Sequence, residues 1–528
     1  MLLGVFFRFY HIERKVYWED ETYTSLHVLG VTEADVVRRS AQIVNASTLR
    51  AVLHPAGPLT TTIGDTIHSL AVEDPQHPPL YYIAGHLWVK LFGDSVVSIR
   101  TLSAIAGIVA LPLMYWLGIE LFGSTVAAWF GVALFAVSPI AVLSSQEARE
   151  YIFWSLAVIV MSATFLRALR LMSPRAWALY AVALAASLYV FPVSGIFAAS
   201  NILVAWRTKR RNPRTLVSPI VATLAGCAAF LPWVAILYGN FHTVDRAMGL
   251  TGEGFGSKLA TIPHFVELLK YNFLDLNLDG RNAFAILASL VALVLIGYAF
   301  YRLVRTAPAL TWMFILTTTI FAAAPFLLLD LLLAHGFTTQ PRYFMPLYLG
   351  IDLALAYLFA STLKPARLGS AQRRAWKLVF VGVLVARAAS CGASANANTW
   401  WSKWGERSIE VARAINQSDH PLILSDAFME RPLSLSNYLD PKVALQLRPR
   451  CYLCQIHAPA KFDLDSLKRP NAYSDVFVLG PSNAIAHDVK AAIQLAGDRE
   501  RYRCIDDLLD NRSQCAAGTL YLWPRGFR

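Results

Sequence analysis

Three acidic residues follow the first short apolar stretch of the chain, and their type suits proton transfer. Glu19, Asp20 and Glu21 come directly after Trp18. Carboxylates beside a membrane are costly to keep unless they are solvated, paired or catalytic. A positioned carboxylate can accept the proton of an attacking hydroxyl group. We therefore hypothesise that Asp20 is a general base and that Glu21 orients the site, with an ordinary solvated loop cap as the alternative.

Cationic side chains in three later segments could stabilise negative charge that develops on a leaving group. They are His77, Arg149 and Arg342. Fixed cations aimed at such a group stabilise the transition state more than the ground state. The structural alternatives are that His77 only precedes a proline-started helix, that Arg149 forms a local ion pair with Glu147, and that Arg342 anchors the chain at the membrane interface. The candidate supporting residues are Asp74, Gln146, Glu147, Tyr151 and Tyr343.

The composition predicts that these residues are carried by a polytopic α-helical membrane protein. Of 528 residues, 56% are hydrophobic and 16% are charged, which leaves too little polar surface for a soluble globule. A helix needs roughly 20 residues to cross the hydrocarbon layer. With a shortened first helix over 1–12, about 11 spans are predicted. The other ten are 96–118, 124–143, 151–170, 176–191, 192–206, 215–238, 283–301, 309–332, 343–362 and 378–391.

The basic residues predict the orientation of the spans. The net charge of +12 comes largely from Lys and Arg clusters between spans, which favours retention in cytoplasmic loops rather than binding of nucleic acid. The alternate loops are then external. They contain Asp20, His77, Arg149 and Arg342, so the candidate site residues share the extracytoplasmic face of a cell (inner) membrane.

The predicted domains are a transmembrane domain over 1–391 and an extracytoplasmic α/β domain over 392–528. The first external loop, 13–95, contains a predicted amphipathic helix over 33–53 with Thr32 as its N-cap, and an aromatic helix that begins after Pro79. In the C-terminal domain the sequence predicts helices over 408–415 and 484–495 and strands over 421–424, 476–479 and 519–523.

Four of the six cysteines lie in this C-terminal domain. An external location favours two disulfides, Cys451 with Cys454 and Cys504 with Cys515. The Cys-x-x-Cys sequence could instead bind a metal or act in redox exchange. A zinc site would be expected to have a second pair at similar spacing, and Cys504 to Cys515 is too wide. No metal ligand is therefore predicted from the sequence.

Several motifs, in this order, resemble the GT-C superfamily of integral-membrane glycosyltransferases, in the branch of the protein O-mannosyltransferases and aminoarabinose transferases. The resemblance covers about residues 13–362. Its motifs are Asp20-Glu21, His77-Pro78-Pro79-Leu80, Phe92-Gly93 with Arg100, Ser138-Pro139 with Gln146-Glu147-Ala148-Arg149-Glu150-Tyr151, and Arg342-Tyr343-Phe344-Met345-Pro346.

The resemblance implies an inverting transfer of a sugar from a polyprenyl-phosphate carrier to a protein, lipid or glycan acceptor on the external face. In that family pattern Asp20 takes the base role and His77, Arg149 and Arg342 contact the donor phosphate. The aminoarabinose branch has a lysine where His77 stands, and the mannosyltransferases carry an acid near the position of Asp74. No resident cofactor is implied with certainty, and a requirement for a divalent metal stays open.

The rival function is that of a polytopic transporter or lipid flippase. Transporters tend to have repeated halves and ionisable groups near the bilayer midplane, whereas the unusual charges here are predicted at one face. An inactive receptor or scaffold would leave the one-sided Asp, His and Arg set without a role. No Walker sequence or glycine-rich nucleotide loop occurs in the chain, which disfavours a nucleotide-driven mechanism.

Overall fold

The structure of the chain is a computed structural model. It describes residues 1–40, 43–55, 57–209, 213–248, 258–278, 282–363, 370–401, 408–452, 454, 473–480 and 502–504. The described helices are α1 (Leu2–Phe9), α2 (Glu19–Val28), α3 (Glu33–Arg39), α4 (Ala46–Leu53), α5 (Ile63–Glu73), α6 (Leu80–Phe92), α7 (Val96–Phe122), α8 (Thr125–Ala136), α9 (Pro139–Ser145), α10 (Tyr151–Leu171), α11 (Pro174–Val190), α12 (Ser194–Lys209), α13 (Val217–Ala228), α14 (Leu231–Gly239), α15 (Phe241–Met248), α16 (Thr261–Lys270), α17 (Ala283–Thr306), α18 (Ala309–Leu333), α19 (Met345–Thr362), α20 (Ser370–Asn396), α21 (Ser408–Asn416) and α22 (Glu430–Ser436).

Short strands and 3-10 helices complete the described elements. The strands are β1 (Val44–Asn45), β2 (Pro421–Ser425), β3 (Ala444–Leu447), β4 (Asp475–Leu479) and β5 (Tyr502–Cys504). The 3-10 helices are Pro213–Leu216, Lys258–Ala260, Phe337–Thr339 and Pro341–Phe344.

The chain divides into two compact units, and each contains several segments. The first unit is Met1–Arg14, Pro75–Ala84 and Val97–Ala397, and the second is Lys15–Asp74, Gly85–Val96 and Asn398–Arg528. The last passage between units lies between Ala397 and Asn398, and the domain boundary at 391/392 stays a prediction. Most of the predicted first external loop, however, is grouped with the C-terminal segment rather than with the spans.

The first unit confirms the prediction of a polytopic helical membrane protein. Within the described residues, six helices are long and apolar enough to cross a bilayer, and two bent pairs, α8 with α9 and α13 with α14, raise the number to at most eight. Helices α11 and α12 have 17 and 16 residues, slightly short of the roughly 20 that a crossing needs. The total of about 11 spans stays a prediction.

A proline and a polar cap produce the bend between α8 and α9. Ser138 accepts a hydrogen bond from the Ala141 N–H, and Pro139 occupies the first turn of α9, where its missing N–H costs nothing. The axes of the two helices differ by 59°. The bend places α9 immediately before the polar turn 146–150, from which α10 begins.

The second unit contains a mostly parallel sheet in the order β1-β3-β2-β4-β5. Strands β2, β3, β4 and β5 pair in parallel, and β1 is antiparallel to β3. The buried faces of α4, α21 and α22 form one hydrophobic cluster with this sheet. The predicted small α/β fold is therefore confirmed for the described residues, whereas the predicted helix 484–495 and strand 519–523 lie outside them.

The prediction of one continuous helix over 33–53 is wrong. Thr32 does cap a helix, through a capping box with Asp35, but α3 ends at Arg39. Val44 and Asn45 are extended and pair with β3, and α4 then begins at Ala46. The β-branched Val44 favours a strand, and the buried Val36, Val37 and Leu49 pack in the sheet cluster. Tertiary pairing thus overrides the local helical periodicity.

Candidate active site

Two arginines that are far apart in sequence meet at one aromatic ring in the first unit. The guanidinium carbon of Arg149 lies 5.8 Å from the centroid of the Tyr151 ring, and that of Arg342 lies 5.7 Å from the same centroid. Arg342 also lies 5.6 Å from the Tyr343 ring. Cation–π attraction holds a guanidinium at such distances. The structure therefore brings together four residues that the sequence proposed separately for the site.

A buried carboxylate joins two of the cations. The Nδ1 atom of His77 lies 2.8 Å from Oε1 of Glu150, and Nη2 of Arg149 lies 3.4 Å from the same oxygen. Glu150 is completely buried, and Arg149 is nearly so. Burial opposes ionisation of the carboxyl group, but the charges of Arg149 and His77 outweigh it and lower the pKa of Glu150 from 4.5 to about 2. Glu150 is therefore charged at neutral pH.

The position of Glu150 follows from the start of α10. Glu150 is the N-cap residue of α10, but its side chain makes no capping hydrogen bond, and it is directed to the cations instead. Arg149 thus pairs with Glu150, and the alternative of a local pair with Glu147 stays a prediction. Glu147 is itself buried. Glu150 belongs to a sequence motif but was not predicted to be a site residue. Sequence spacing does not separate the roles of two nearby acidic residues.

Aromatic packing positions His77 at the start of α6. The helix begins at Leu80, as Pro79 predicted, and the Tyr81 ring lies 5.1 Å from that of Phe153 in α10. The segment before His77 is held by a hydrogen bond of 2.9 Å from Trp233 Nε1 to the Pro75 carbonyl. His77 therefore lies at the start of one helix that packs on the start of another.

Gln146 fixes the backbone near the N-terminal helix. Its Nε2 atom donates to the carbonyl oxygens of Phe7 and Tyr10, at 2.8 and 3.0 Å. Arg100 donates to the Ile12 carbonyl at 2.9 Å. These bonds hold the segment that leads, in sequence, to the acidic residues of α2, which is a supporting role for Gln146.

The acidic candidates lie in the second unit, in the first turn of α2. Glu19, Asp20 and Glu21 begin the helix, with Trp18 as the N-cap residue. The positive end of a helix dipole stabilises negative charge there. Glu21 is fully buried, while Asp20 is half-buried. The three acids are thus part of a helix rather than of a loop.

Asp74 is held at the other end of α2. Its Oδ2 atom lies 3.6 Å from Nε2 of His27. His27 follows Asp20 by two helical turns, which is a rise of about 10 Å. Asp74 therefore interacts with the C-terminal part of α2.

Arginine residues lie at both ends of α10. Arg149 precedes the helix, whereas Arg167 and Arg170 lie in its last turns and pair with Glu120 at 3.7 and 2.9 Å. A helix of 21 residues is about 30 Å long. The predicted sidedness, with Arg149 external and Arg170 cytoplasmic, requires such a separation.

A buried polar network in the first unit was missed by the sequence analysis. Arg387 donates to the Asp352 carboxylate and to the Leu134 carbonyl, each at 2.7 Å. Asn272 donates to the same Asp352 oxygen at 2.9 Å and accepts from Ser138 at 2.7 Å. An ionisable residue inside an apolar span, such as Asp352 in α19, is the signal that could have revealed the network.

Cys451 and Cys454 form a disulfide in the second unit. Cys504 belongs to β5, but Cys515 lies outside the described residues, so the predicted pairing of these two stays a prediction.

The segment that contains most of the cationic cluster is similar to a known protein family. Residues 76–238 match the family model described as dolichyl-phosphate-mannose-protein mannosyltransferase. No curated protein matches the chain in sequence. The matched segment contains His77, Arg149, Glu150 and Tyr151 but ends before Arg342.

Three solved structures are similar to the chain. ArnT from Cupriavidus metallidurans bound to undecaprenyl phosphate has 12% identity and a TM-score of 0.45, with 90% of this chain and 88% of that chain covered. Apo ArnT from the same organism has 14% identity and a TM-score of 0.47, with 80% and 84% covered. The oligosaccharyltransferase AglB from Archaeoglobus fulgidus, in complex with an inhibitory peptide and a dolichol-phosphate, has 13% identity and a TM-score of 0.44, with 87% and 63% covered. The family match confirms the resemblance of the segment 76–238 to the GT-C superfamily of membrane glycosyltransferases.

Proposed function

We propose that this chain is an inverting glycosyltransferase that moves a sugar from a polyprenyl-phosphate carrier to an acceptor on the extracytoplasmic face of the membrane. The observation that carries the proposal is the convergence of Arg149 and Arg342 on the Tyr151 ring, beside the His77–Glu150 pair. The family match supports the class of reaction. The proposal leaves the sugar and the acceptor open.

The cationic cluster suits a phosphate leaving group. When the glycosidic bond breaks, its electron pair goes to the phosphate oxygen, so the phosphate gains negative charge. Two guanidinium groups held near one ring stabilise that charge, because their orientation is fixed before the reaction. Glu150 neutralises part of the cluster and orients Arg149 and His77. The site thus retains an excess of positive charge for a phosphate.

Asp20 is the proposed general base. Inversion requires the acceptor oxygen to attack the anomeric carbon from the face opposite the phosphate, while a carboxylate takes the hydroxyl proton. Asp20 is half-buried in the first turn of α2, which leaves its carboxylate partly accessible. Glu21 is fully buried and suits the orienting role. Asp74, held by His27, is assigned to positioning α2.

The transporter or flippase alternative makes a different use of the same charges. A transporter would be expected to place its ionisable site near the middle of the spans, and Arg387 with Asp352 is a pair of that kind. That pair is fully buried and is also bonded to Leu134 and Asn272. A role in holding α19 and α20 together accounts for these contacts without transport.

The test compares lipid extracts from a deletion strain complemented with defined variants. We expect a polyprenyl-phosphate-linked sugar to accumulate without the protein, and to return to its normal level with wild type but not with Arg149→Ala or Arg342→Ala. Arg170→Ala is the matched control, because its side chain is exposed and pairs with Glu120, and it should restore the normal level. If no carrier-linked sugar accumulates and a lipid instead changes its distribution between the two leaflets, the flippase alternative is supported.

Purified protein separates donor binding from catalysis. Binding of undecaprenyl phosphate, a representative polyprenyl phosphate, should weaken in detergent with Arg149→Ala and with Arg342→Ala, but not with Arg170→Ala. Equal binding by all four proteins would contradict the assignment of the phosphate site.

A further inference from the structure

We propose that Cys451, Cys454 and Glu33 form a binding site for a zinc-like divalent cation when the Cys451–Cys454 disulfide is reduced. One ligand atom from each of the three residues lies within 4.8 Å of the others. Two thiolates and a carboxylate, with a water molecule in the fourth position, satisfy tetrahedral Zn²⁺. This site is independent of the proposed glycosyltransferase chemistry.

The two sulfur atoms of the Cys-x-x-Cys segment lie next to each other, as their disulfide requires. The N–H of Cys454 lies 3.0 Å from Sγ of Cys451, and a backbone N–H directed at sulfur favours the thiolate form that binds metals. From the sequence, a zinc site was expected to need a second cysteine pair. Glu33 instead supplies a ligand from a distant part of the chain. The spacing of cysteines within the C-terminal segment could not reveal that ligand.

Glu33 is a buried carboxylate with its own supporting contacts. It is fully buried, and its Oε1 atom accepts a hydrogen bond of 3.1 Å from the Tyr452 N–H. The hydroxyl of Tyr23 lies 3.5 Å from the same oxygen and donates to Glu430 at 2.9 Å. Such outer contacts orient a ligand and typically change metal affinity when they are removed.

The backbone of Glu33 is fixed as firmly as its side chain. Glu33 is the first residue of α3, whose start is held by the capping box of Thr32 and Asp35. The backbone N–H groups of Glu33 and Ala34 both donate to the Glu73 carboxylate, at 2.6 and 3.0 Å. The carboxylate ligand is thus preorganised toward the Cys-x-x-Cys turn.

The disulfide and the metal exclude each other. A dithiol reductant transfers two electrons and two protons to the Cys451–Cys454 bond and itself becomes a disulfide, which leaves two thiols in the protein. Binding of Zn²⁺ then displaces the two thiol protons to solvent. An external disulfide oxidant that takes two electrons from the two thiolates is reduced to its dithiol, re-forms the Cys451–Cys454 bond and releases the cation.

The test measures zinc bound to full-length protein in detergent, before and after reduction. After removal of the reductant and excess metal, we expect about one Zn²⁺ per chain in the reduced protein and none in the oxidised protein. Substitution by Co²⁺ should give the sulfur-to-metal charge-transfer band of a thiolate complex. Zinc should also protect both Cys451 and Cys454 from alkylation, as read by mass spectrometry of their peptides.

Variants identify the ligands. Tyr23→Phe should weaken zinc binding by about tenfold, as for other outer contacts, and Glu33→Gln by at least as much. Cys504→Ser and Glu410→Gln are the matched controls, a cysteine of the same unit and an exposed acid, and both should bind as wild type does. Equal zinc content in reduced wild type and Cys451→Ser, or alkylation of Cys451 unaffected by zinc, would overturn the proposal. The comparison of oxidised with reduced wild-type protein needs no substitution, so it still tests the proposal if a variant fails to fold.

Discussion

Replacement of Glu150 by glutamine should reveal how strongly the cationic cluster depends on one carboxylate. The cluster lowers the pKa of Glu150 from 4.5 to about 2. Each pKa unit corresponds to about 1.4 kcal/mol, so the charged carboxylate stabilises the fold by about 3 kcal/mol. Glutamine keeps the shape but leaves Arg149 and His77 without their counter-charge. We expect Glu150→Gln to lower the free energy of unfolding by about this amount at pH 7.

The pH dependence has a defined sign. Because the pKa of Glu150 is lower in the folded state than in the unfolded state, its contribution is complete above about pH 4.5 and decreases as the pH falls toward 2. At pH 5, below the ordinary pKa of histidine, the difference in stability between wild type and Glu150→Gln should therefore be fully present. It should decrease progressively at lower pH.

The assay is reversible unfolding in mixed micelles of detergent and SDS, together with sugar transfer by the folded fraction. Glu410→Gln is the control: the side chain of Glu410 is exposed, so a change within about 0.5 kcal/mol is expected. Turnover by Glu150→Gln should fall by about a hundredfold, because Arg149 and His77 are no longer oriented. Stability within about 0.5 kcal/mol of wild type would refute the reasoning from the ion pairs, and unchanged turnover would remove the cluster from the reaction.

Three other predictions test the remaining parts of the proposal. Asp20→Asn should abolish transfer without lowering the melting temperature, since an amide cannot accept the hydroxyl proton; turnover near that of wild type would exclude this base. Single cysteines at 77 and 373 in a cysteine-free chain should be labelled by an impermeant thiol reagent in intact cells at 77 only, and the reverse pattern would contradict the orientation predicted from the basic loops. Arg387→Met should destabilise the protein by about 3–5 kcal/mol, because Asp352 is left buried without its cationic partner, and a second change, Asp352→Asn, should recover part of that loss in a double-mutant cycle.

Local sequence patterns determined most of the helical architecture. Apolar runs of sufficient length predicted α7, α10, α17 and α18, and Pro79 predicted the start of α6. Such features are predictable because hydrophobic length and helix capping depend on neighbouring residues. The strands β2 and β4 were also predicted from short apolar runs, whereas β3 and β1 were missed.

The arrangement of the candidate site was decided by tertiary structure. The sequence suggested Arg149 and Arg342 separately, but their common contact with Tyr151 depends on how α10 packs near the 3-10 helix before α19. Within the 146–151 motif, the turn geometry directs Glu150 to His77. Non-local contacts of this kind leave no periodic signal in the sequence.

The break in the predicted helix 33–53 has the same cause. Local propensity allowed a continuous helix, but pairing of Val44 with Leu445 in the sheet places the segment in an extended conformation. That fold also puts Glu33 next to Cys451. The sequence by itself thus determined which residues can do chemistry and which segments are helical. Packing between distant segments decided which of those residues meet. The physical reason is that contact energy is gained only after the chain has closed the long loops between the contacting residues.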